Sequence, residues 1–460
     1  MPGPDSLWWS ALEPSPSARP PLQGHADVDV AIIGGGFSGL WTARELLRRD
    51  PTLHVAVLER DVCGFGASGR NGGWASALYP QSAAAVARIA PDAPARLGAV
   101  LRRAVIELGD ELERDGIEAD FHRGGTLTFA RNDFQVARLH DEVEEARAWG
   151  ASSDDVTWLD GDAAREHGRV AGAVGALYAR HCARVQPARL VRGLAEVVER
   201  LGARIYEGTA VTRVLPGTPR RRPTVVTIGG SVHATIVVRA TEGYTPTLPH
   251  ERRSVAPLYS LMIATAPLPS SFWDHVGFGD APTFNDGRNL LIYGQRTADD
   301  RIAFGGRGAP YHFGSVVEPR FDHVDKVFEL LAATLRELFP EMPGLITHRW
   351  GGPLAMPRDL SPRVDLDRVS GLAVLGGYTG DGVVLSRVAA QALADLICAP
   401  ETSSEFTELP FVGHPLRRWE REPWRWLGIN AGLVAATWAD HQERRGRSSR
   451  AATFLERLMS

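Results

Sequence analysis

The sequence predicts an α/β fold (α+β overall) in which a parallel sheet with helices on its faces carries a second, mostly antiparallel domain. A short apolar run at 28–33 leads through a glycine cluster into a segment with helical spacing at 40–49, and a second apolar run follows at 54–59. This strand–helix–strand order is typical of parallel sheets. The same rhythm returns at 188–214, whereas residues 255–308 read as antiparallel strands.

The remaining elements follow from local patterns along the chain. Residues 82–114 are expected to form one helix, 125–130 a strand and 142–149 a short helix. Residues 322–338 have the spacing of an amphipathic helix. Near the end, 372–397 reads as an apolar strand, a glycine loop and a helix, which repeats the order seen at the start of the chain.

Composition excludes several classes of protein. The chain has 460 residues, 44% apolar and 23% charged, which is the balance of a globular protein with two or three domains. A net charge of −4 gives no reason to expect nucleic acid as a partner. Only Lys326 among the 51 basic residues is a lysine, and it lies on the polar face of a predicted helix, which disfavours Schiff-base chemistry.

The three cysteines and the apolar runs bear on location. Cys63, Cys182 and Cys398 stand far apart without a CxxC pair, so a disulfide framework or a metal site is not expected, and a reducing, cytoplasmic location fits. No run of 18 apolar residues occurs, so no transmembrane segment is expected.

The pattern Gly34-x-Gly36-x-x-Gly39 stands between the first predicted strand and helix, as a Rossmann dinucleotide fingerprint requires. Its glycines permit a tight turn, close approach to a pyrophosphate and close helix–strand packing. The helix N-terminus supplies N–H groups and a positive dipole to the phosphates. Glu59, which closes the second strand, is placed to accept hydrogen bonds from ribose hydroxyls and would repel the 2′-phosphate of NADP.

Two later glycine clusters favour FAD over NAD. Gly64–Trp74 follows the ribose-binding acid directly, and its backbone can line a group that extends beyond the pyrophosphate, such as the flavin ring. Gly376–Gly382 runs into a helix whose N-terminus can stabilise negative charge on the ring. An ordinary strand–helix turn at Gly376–Gly382 remains the alternative.

Several motifs together resemble FAD-dependent oxidoreductases of the D-amino-acid oxidase superfamily. They are Asp27-Val-Asp-Val-Ala-Ile-Ile-Gly-Gly-Gly-Phe-Ser-Gly, Leu58-Glu-Arg60, Gly66-Ala-Ser-Gly-Arg-Asn-Gly-Gly73, Ala240-Thr-Glu-Gly-Tyr-Thr and Gly377-Tyr-Thr-Gly-Asp-Gly-Val-Val. Tyr293-Gly-Gln-Arg-Thr297, Phe304-Gly-Gly-Arg307 and Trp350-Gly-Gly-Pro353 are similar to the gamma-glutamylputrescine oxidase-like group, with glycine and sarcosine oxidases more distant.

The resemblance, over about residues 26–400, implies a Rossmann-type FAD-binding domain built from discontinuous segments and an inserted, mostly antiparallel substrate domain. The expected segments are an N-terminal extended segment (1–25), the FAD-binding domain (26–82, 185–250 and 346–400), the substrate-binding domain with connecting helices (83–184 and 251–345) and a C-terminal helical tail (401–460).

The same resemblance implies which residues bind the cofactor. They are Gly34, Gly36, Phe37, Ser38, Gly39, Glu59, Arg60, Gly66, Ala67, Ser68, Arg70, Asn71, Gly72, Gly73, Val211, Ala240, Thr241, Tyr244, Gly377, Gly380, Asp381, Gly382 and Val383. On the substrate side, the candidates are Arg307, Tyr259, Tyr293 and Tyr378. Packing is an alternative role for each tyrosine, and an ion pair is an alternative role for Arg296 and Arg307.

Two departures from the resembling enzymes affect the expected chemistry. Some of them attach flavin through a cysteine before the last glycine loop, but 355–365 contains none, so FAD is expected to be non-covalent. Cys63 beside the flavin loop is expected to be a buried thiol rather than a tether. Sarcosine-oxidase relatives place an O₂-activating lysine where this chain has Arg307, which leaves both an oxidase and a dehydrogenase open.

The implied activity is oxidation of a C–N bond of an amine or amino acid by hydride transfer to flavin N5. The imine is then hydrolysed, and O₂ is the electron acceptor that gives H₂O₂. The main alternative is a dehydrogenase for an amine or hydroxy acid that passes electrons to a carrier or quinone. A flavin-binding protein without redox activity is the third interpretation.

The apolar tail at Trp424–Trp438, followed by the basic Arg444–Arg447, is expected to be a helix packed on the FAD-binding domain. Peripheral membrane contact and an oligomer contact are its alternatives.

Overall fold

The computed structural model describes residues 4–14 and 17–447. Its strands are β1 Gly24–Ile33, β2 Val55–Leu58, β3 Trp74–Ser76, β4 Thr126–Ala130, β5 Val156–Asp160, β6 Gly175–Ala179, β7 Cys182–Arg184, β8 Arg204–Tyr206, β9 Val211–Leu215, β10 Thr224–Thr227, β11 Gly230–Arg239, β12 Ala256–Thr265, β13 Thr283–Asp286, β14 Ile292–Arg296, β15 Ile302–Arg307, β16 Ile346–Met356, β17 Arg363–Asp367 and β18 Leu372–Gly376.

The helices complete the element order. They are α1 Leu7–Ser10, α2 Phe37–Arg49, α3 Ala83–Ala87, α4 Ala93–Asp115, α5 Asp133–Ala148, α6 Gly161–His167, α7 Pro187–Arg200, α8 Ser270–Val276, α9 Asp325–Leu338, α10 Gly382–Cys398 and α11 Trp424–Glu443.

The first sheet is the predicted parallel sheet. Its strand order is β17-β18-β11-β1-β2-β8, and all neighbouring pairs from β18 to β8 are parallel. Strand β10 pairs antiparallel with β11, and β9 pairs antiparallel with β10. Helices α2, α4, α7 and α10 supply much of the main apolar core against this sheet. The α/β class predicted from the sequence is therefore confirmed.

The second sheet is mostly antiparallel, with strand order β16-β12-β15-β14-β13-β4-β6-β5 and one parallel pair, β13 with β4. Its core is rich in phenylalanine: Phe129, Phe278, Phe284 and Phe304 are all buried there together with the apolar face of α9. Aromatic side chains bury large apolar areas, so they can form a second core independent of the first.

Two predicted helices have different bounds in the structure. The single helix expected at 82–114 is two helices, α3 and α4, separated around Pro91. Proline disfavours helical backbone at the residue before it, which accounts for the break. The short helix expected at 142–149 begins earlier, at Asp133, because the Asn132 side chain accepts a hydrogen bond from Gln135 N–H and caps it.

One segment lies in a different sheet from the one expected. Residues 346–400 as a whole are expected among the FAD-binding segments, whereas β16 at 346–356 pairs with β12 along its length in the second sheet. A strand's sheet is decided by long-range pairing, which its own sequence does not encode. The chain returns to the first sheet only at β17.

The two ends of the described chain also differ from expectation. The N-terminal segment contains the short helix α1, in which Trp8 is buried and donates from Nε1 to Asn71 O at 2.8 Å. The tail helix α11 packs on the second domain rather than on the FAD-binding domain, since Asp440 accepts from the backbone N–H groups of Asn289 and Leu290. The end of the predicted tail, 448–460, lies outside the described residues. Among the described helices, none combines the length and apolarity needed to cross a bilayer.

Candidate active site

Three adjoining cavities lie where the loops after β1, β11 and β18 meet the second sheet. The outer groove is lined by Gly34, Gly36, Phe37, Ser38, Glu59, Arg60, Gly66, Ala67, Ser68, Val211, Ala240, Thr241, Glu242 and Tyr244, with neighbouring apolar residues. The middle pocket is lined by Phe37, Ser38, Ala67, Ser68, Asn71, Glu242, Leu354, Ala355, Tyr378, Gly380, Gly382 and Val383. The inner cavity is lined by Ala67, Arg70, Asn71, Gly72, Trp74, Leu78, Ser260, Asn285, Leu291, Tyr293, Leu354, Gly380, Asp381 and Val383.

The cavities share residues and so form one continuous space. Ala67 lines all three, and Asn71, Gly380 and Val383 line both the middle pocket and the inner cavity. Ligand sites of open parallel sheets lie outside the carboxyl ends of the strands, and this space occupies that position.

The outer groove is shaped by glycines at close backbone approaches. At Gly34, where φ is +109°, a Cβ atom would lie 2.4 Å from Ala240 O, and at Gly36 it would lie 2.8 Å from Ser68 Oγ. The N-terminus of α2 has no side-chain cap and no acidic residue in its first turn. Phe37 N–H donates to Ser68 Oγ at 2.8 Å, and the remaining N–H groups of the first turn and the dipole suit an anionic group such as a pyrophosphate.

Glu59 ends the first βαβ unit inside the same groove. Its carboxylate accepts hydrogen bonds from Gly35 N–H at 2.7 Å and from Asp61 N–H at 2.9 Å, and burial raises its pKa. Nearby, the Arg60 guanidinium stacks over the Tyr244 ring at 4.7 Å and closes one wall of the groove. These positions fit a ribose and an adenine ring, so the residues present fit a dinucleotide.

The glycine-rich loop at 66–73 is held from several sides. The Asn71 side chain accepts from Gly73 N–H at 2.7 Å and donates to Ala67 O at 3.0 Å. Buried Gln295 donates to Gly72 O at 2.6 Å, and Trp350 Nε1 donates to Arg70 O at 2.8 Å. The loop is therefore fixed before any ligand binds.

Arg70 is a structural link, although it borders the inner cavity. Its guanidinium donates to Asp322 at 2.7 Å, to Gly351 O at 2.8 Å and to the Tyr244 hydroxyl at 2.7 Å. These bonds connect the glycine loop to the second domain. The charge is paired with Asp322, so Arg70 is not an unengaged cation for a substrate carboxylate.

The middle pocket has a second uncapped helix end. Helix α10 begins at Gly382 without a side-chain cap bond, and Gly382 and Val383 line the pocket. Tyr378 is buried at the pocket wall, and its hydroxyl is hydrogen-bonded to Ser38 Oγ at 3.1 Å. A helix N-terminus here favours negative charge on a bound ring.

Glu242 lies where the outer groove and the middle pocket meet. One carboxyl oxygen accepts from Gly377 N–H at 3.1 Å and from Tyr378 N–H at 3.3 Å, while the other, Oε2, is buried without a hydrogen-bond partner. Burial raises the pKa of Glu242 to about 7. Its backbone φ of +40° is unusual for a residue with a side chain.

The inner cavity combines apolar walls with a few polar atoms. Tyr293 packs edge-on against Trp74 at 6.2 Å, and its hydroxyl is hydrogen-bonded to Ser260 Oγ at 2.7 Å. Trp74 Nε1 and Asn285 Oδ1 are buried without hydrogen-bond partners. One donor and one acceptor are therefore available to a small ligand, in a space that apolar side chains line together with polar ones such as Arg70, Ser260 and Asp381.

Some predicted site residues lie outside the three cavities. Tyr259 is buried behind them, where it packs edge-on against His312 and Phe321, so it is not on the substrate side. Arg296 is ion-paired with Asp300 and stacks over Trp273.

Three glycines predicted to bind the cofactor do not line any of the three cavities. A Cβ at Gly39 would lie 2.0 Å from Gly34 O, and one at Gly73 would lie 2.1 Å from Gln295 Nε2. Gly377 faces Glu242 and a separate cleft.

The remaining substrate-side candidates have different positions. Tyr293 lines the inner cavity, whereas Tyr378 lines the middle pocket. Arg307 stands opposite Ser260 in the β12–β15 register, and its side chain lies outside the described part of the structure. Register thus brings the Arg307 backbone beside a residue of the inner cavity.

Sequence reasoning missed the residues that complete the site. Glu242, Trp74, Ser260, Asn285 and Gln295 reach it from separate elements. Glu242 and Trp74 stand within motifs that the sequence analysis quotes, so an acidic or aromatic residue inside a glycine motif was an available signal. Gln295 stands within the motif Tyr293-Gly-Gln-Arg-Thr297. The positions of Ser260 and Asn285 depend on strand pairing and have no local signal.

The fold and the cavities together define a dinucleotide-binding flavoprotein. The family model for FAD-dependent oxidoreductases (DAO) matches residues 29–396. The chain therefore belongs to this family and is an FAD-dependent oxidoreductase, which confirms the predicted family and cofactor.

Individual relatives agree with this assignment. The chain is 29% identical to gamma-glutamylputrescine oxidoreductase of Escherichia coli (strain K12), over 87% of this chain and 91% of that protein. It is 25% identical to glycine oxidase of Geobacillus kaustophilus (strain HTA426), over 84% of this chain and 97% of that protein.

Solved structures share the fold. The crystal structure of the Geobacillus kaustophilus glycine oxidase superposes with a TM-score of 0.69 at 23% identity, over 85% of this chain and 100% of that one. The L-proline dehydrogenase of P. horikoshii gives the same TM-score of 0.69 at 19% identity, over 85% of this chain and 98% of that one.

Proposed function

We propose that the protein oxidises a C–N bond of an amine or amino acid in the inner cavity, with non-covalently bound FAD in the outer groove and middle pocket. The substrate loses a hydride and a proton to give an imine, and water then hydrolyses the imine to a carbonyl compound and an amine. The two electrons and two protons pass to O₂, which becomes H₂O₂. Bound FAD supplies the hydride acceptor, N5 of its ring.

The observation that carries this proposal is the pair of unpartnered polar atoms in the inner cavity, beside the pocket that would hold the flavin ring. Asn285 Oδ1 can accept an N–H from a neutral amine, and Trp74 Nε1 can donate to a second polar group of the substrate. Orientation toward the ring is the main requirement for hydride transfer from a neutral amine, since the nitrogen lone pair must be free and the C–H must face the acceptor. The apolar walls exclude water from the reacting carbon.

Known relatives support the same chemistry. Gamma-glutamylputrescine oxidoreductase and glycine oxidase carry substrates with C–N bonds in their names, and the chain spans most of the length of each. Arg70 is paired with Asp322, so its charge is not a ready partner for a substrate carboxylate. An amine without a carboxylate beside the reacting carbon therefore suits the described walls better than an α-amino acid does.

Non-covalent FAD is supported by the position of the cysteines. Cys63 is buried against Gly35, and burial next to Glu207 raises the pKa of its thiol well above the usual value, which makes it a poor nucleophile. Cys182 is also buried, and neither cysteine lines the outer groove, the middle pocket or the inner cavity.

The test is anaerobic addition of a panel of primary and secondary amines and amino acids to the holoenzyme. We expect one class of amine to bleach the flavin absorbance, and readmission of air to restore it with stoichiometric H₂O₂. A bleached flavin that air restores slowly, but that an added quinone restores quickly, would identify a dehydrogenase instead. No bleaching by any C–N compound would contradict the proposed substrate class.

A dehydrogenase is the second candidate because one observation favours it. Helix α11 presents an exposed apolar face, including Trp424 and Trp438, that would suit contact with a membrane containing the electron acceptor. Peroxide yield under air separates the two candidates.

A further inference from the structure

The outward face of α11 is apolar along its length. Trp424, Leu427, Ala431, Val434 and Trp438 follow one another at spacings of three and four residues, and all five are exposed. This spacing places them on one face of a helix. Trp424 is 71% exposed, Val434 68% and Trp438 56%, although large apolar side chains are normally buried.

The opposite face of α11 holds the helix on the second domain. Asp440 binds the backbone of the loop before β14, and Glu443 is ion-paired with Arg138 at 2.6 Å. At the other end, Asn430 exchanges hydrogen bonds with the backbone of Tyr311. The helix is therefore docked, and its apolar stripe is the side that the described protein leaves uncovered.

The acidic side chains of this region are turned inward. Glu422 is ion-paired with the buried Arg425 at 2.7 Å, while Asp440 and Glu443 make the contacts given above. None of the exposed residues in the described stretch 421–447 is an aspartate or a glutamate. The exposed charged groups there are arginines at the two ends: Arg421 before the helix, and Arg444, Arg445 and Arg447 after it.

Two further exposed apolar residues lie in a loop that contacts the start of the helix. Phe313 is 58% exposed and Val316 40% exposed in a loop whose Gly314 N–H donates to Glu422 at 2.9 Å. Other strongly exposed apolar residues, such as Ile228 and Val369, are far from this helix in sequence and are not part of the stripe. Contiguous exposed apolar patches mark binding surfaces, whereas single residues do not.

We propose that α11 lies on an anionic lipid surface, with its apolar stripe in the boundary between headgroups and acyl chains and its terminal arginines on lipid phosphates. Tryptophan is enriched at this boundary because its ring is apolar and its N–H is polar. Arginines attract anionic headgroups. Arg444 is ion-paired with Glu337 at 3.2 Å, so Arg421, Arg445 and Arg447 are assigned to the headgroups. The combination of tryptophan, aliphatic residues and flanking arginine is typical of helices that lie in the plane of a membrane.

The docked face of α11 is connected to the inner cavity through one loop. Asp440 holds the backbone of Asn289 and Leu290, and the next residue, Leu291, lines the inner cavity. A lipid-bound α11 would therefore lie between the lipid and the loop that contributes Leu291 to the inner cavity.

The experiment is co-sedimentation of the holoenzyme with vesicles, followed by its flavin absorbance in pellet and supernatant. We expect binding to vesicles of equimolar phosphatidylcholine and phosphatidylglycerol that is at least about tenfold stronger than binding to pure phosphatidylcholine, and that weakens with salt. Equal partition to both vesicles, or none to either, would overturn the proposal.

Variants locate the contact. Val434→Glu and Trp438→Glu are each expected to weaken partition at least about tenfold, whereas Ile228→Glu, which places the same charge on an exposed apolar residue elsewhere, is expected to leave it unchanged. Arg445→Ser combined with Arg447→Ser is expected to remove most of the preference for the anionic lipid. Flavin content and amine-dependent bleaching of each variant report that the fold and the proposed activity are intact, independently of vesicle binding.

Size-exclusion chromatography with light scattering gives the competing outcome. If the holoenzyme without lipid is a dimer that Val434→Glu makes monomeric, and vesicles do not bind, the stripe is an interface between two copies and the lipid proposal is wrong.

Discussion

The outer groove and the inner cavity are built in different ways. The groove is formed by backbone at glycines near one another in sequence, such as Gly34 and Gly36, together with an uncapped helix end. The cavity is formed by side chains such as Trp74, Asn285 and Tyr293, which come from three strands, one of them about 200 residues before the other two. A cofactor common to a whole family can be bound by backbone, whereas a particular substrate must be selected by side chains. We therefore expect substitutions in the outer groove to weaken FAD binding, and substitutions in the inner cavity to reduce turnover while FAD stays bound.

The largest effect is expected from Gly36→Val. A Cβ at this position would lie 2.8 Å from Ser68 Oγ, and the valine methyl groups would project into the space between α2 and the glycine loop. We expect FAD affinity to fall at least about 100-fold because the phosphates lose their approach to the helix end. The affinity is measured by quenching of flavin fluorescence on titration of the apoprotein.

Gly428→Ala is the matched control for that variant. A Cβ at Gly428 would meet no atom within 4 Å, and the residue lies inside α11. Alanine is favoured over glycine in a helix, so FAD affinity should be unchanged and thermal stability equal or slightly higher. Equal FAD affinity in Gly36→Val and in the control would contradict the backbone-binding account.

In the inner cavity, Asn285→Leu is expected to reduce turnover and to leave FAD binding unchanged. The substitution keeps the volume but removes the unpartnered acceptor Oδ1, so kcat/KM for the amine substrate should fall about 10- to 100-fold. The visible flavin spectrum and FAD affinity should stay as in the wild type. Steady-state kinetics with an equilibrium FAD titration measure both quantities, and a loss of flavin with turnover would break the comparison.

A smaller, pH-dependent effect is expected at Glu242, where the two regions meet. Burial raises its pKa from 4.5 to about 7, so the carboxyl is neutral at lower pH and becomes charged as the pH rises through that value. The charged form would face the anionic cofactor, and FAD affinity should therefore fall above pH 7, by up to about tenfold per pH unit. Glu242→Gln keeps the shape without the charge, and its FAD affinity should vary less with pH.

Glu242 is expected to make the stability of the protein fall with rising pH, as it does FAD affinity. Because the folded-state pKa of Glu242 exceeds its unfolded value, the folded form binds more protons between these two values. The free energy of unfolding should therefore fall as pH rises from about 4.5 to about 7, and this contribution levels off at higher pH, where the group is deprotonated in both forms. Denaturant titrations of the apoprotein at several pH values check this, with Glu242→Gln as the reference; an identical pH slope in both would contradict the assignment.

The smallest effect is expected from Cys63→Ala. The thiol is buried beside Gly35 and has a raised pKa, so no bond between it and the cofactor is expected. We expect the variant to release flavin on acid precipitation just as the wild type does, with only a modest loss of thermal stability from the small cavity. Retention of flavin in the wild-type pellet but not in that of the variant would identify Cys63 as a tether.

The residues of the outer groove could be predicted from the sequence because their signals are local. The strand, the glycine spacing and the acid at Glu59 lie within 32 residues of one another, from 28 to 59, and the structure places them together. The family and the cofactor followed from the same motifs. Even there, Gly39 and Gly73 serve packing rather than the cavity lining.

Most residues of the inner cavity could not be predicted, because strand pairing decides which side chains reach it. Tyr259 lies on an apolar strand next to Ser260, which lines the inner cavity. Because successive side chains of a strand point to opposite faces, its ring lies on the other side of the sheet, where it packs against Phe321. Gln295 and Asn285 reach the site only because β13 and β14 pair, and β16 joins the second sheet rather than the first through its register with β12. Such pairings are set by the whole fold and leave no mark in the neighbouring residues.

The most direct test of the account is the visible spectrum of the purified protein before and after acid precipitation. We predict a flavin absorbance in the folded protein that moves completely into the supernatant and is identified there as FAD. Colour that stays in the pellet would mean a covalent attachment that the buried Cys63 is not expected to make. A protein that shows no flavin absorbance, even after incubation with FAD, would contradict the central claim that the groove at Gly34 and Gly36 holds this cofactor.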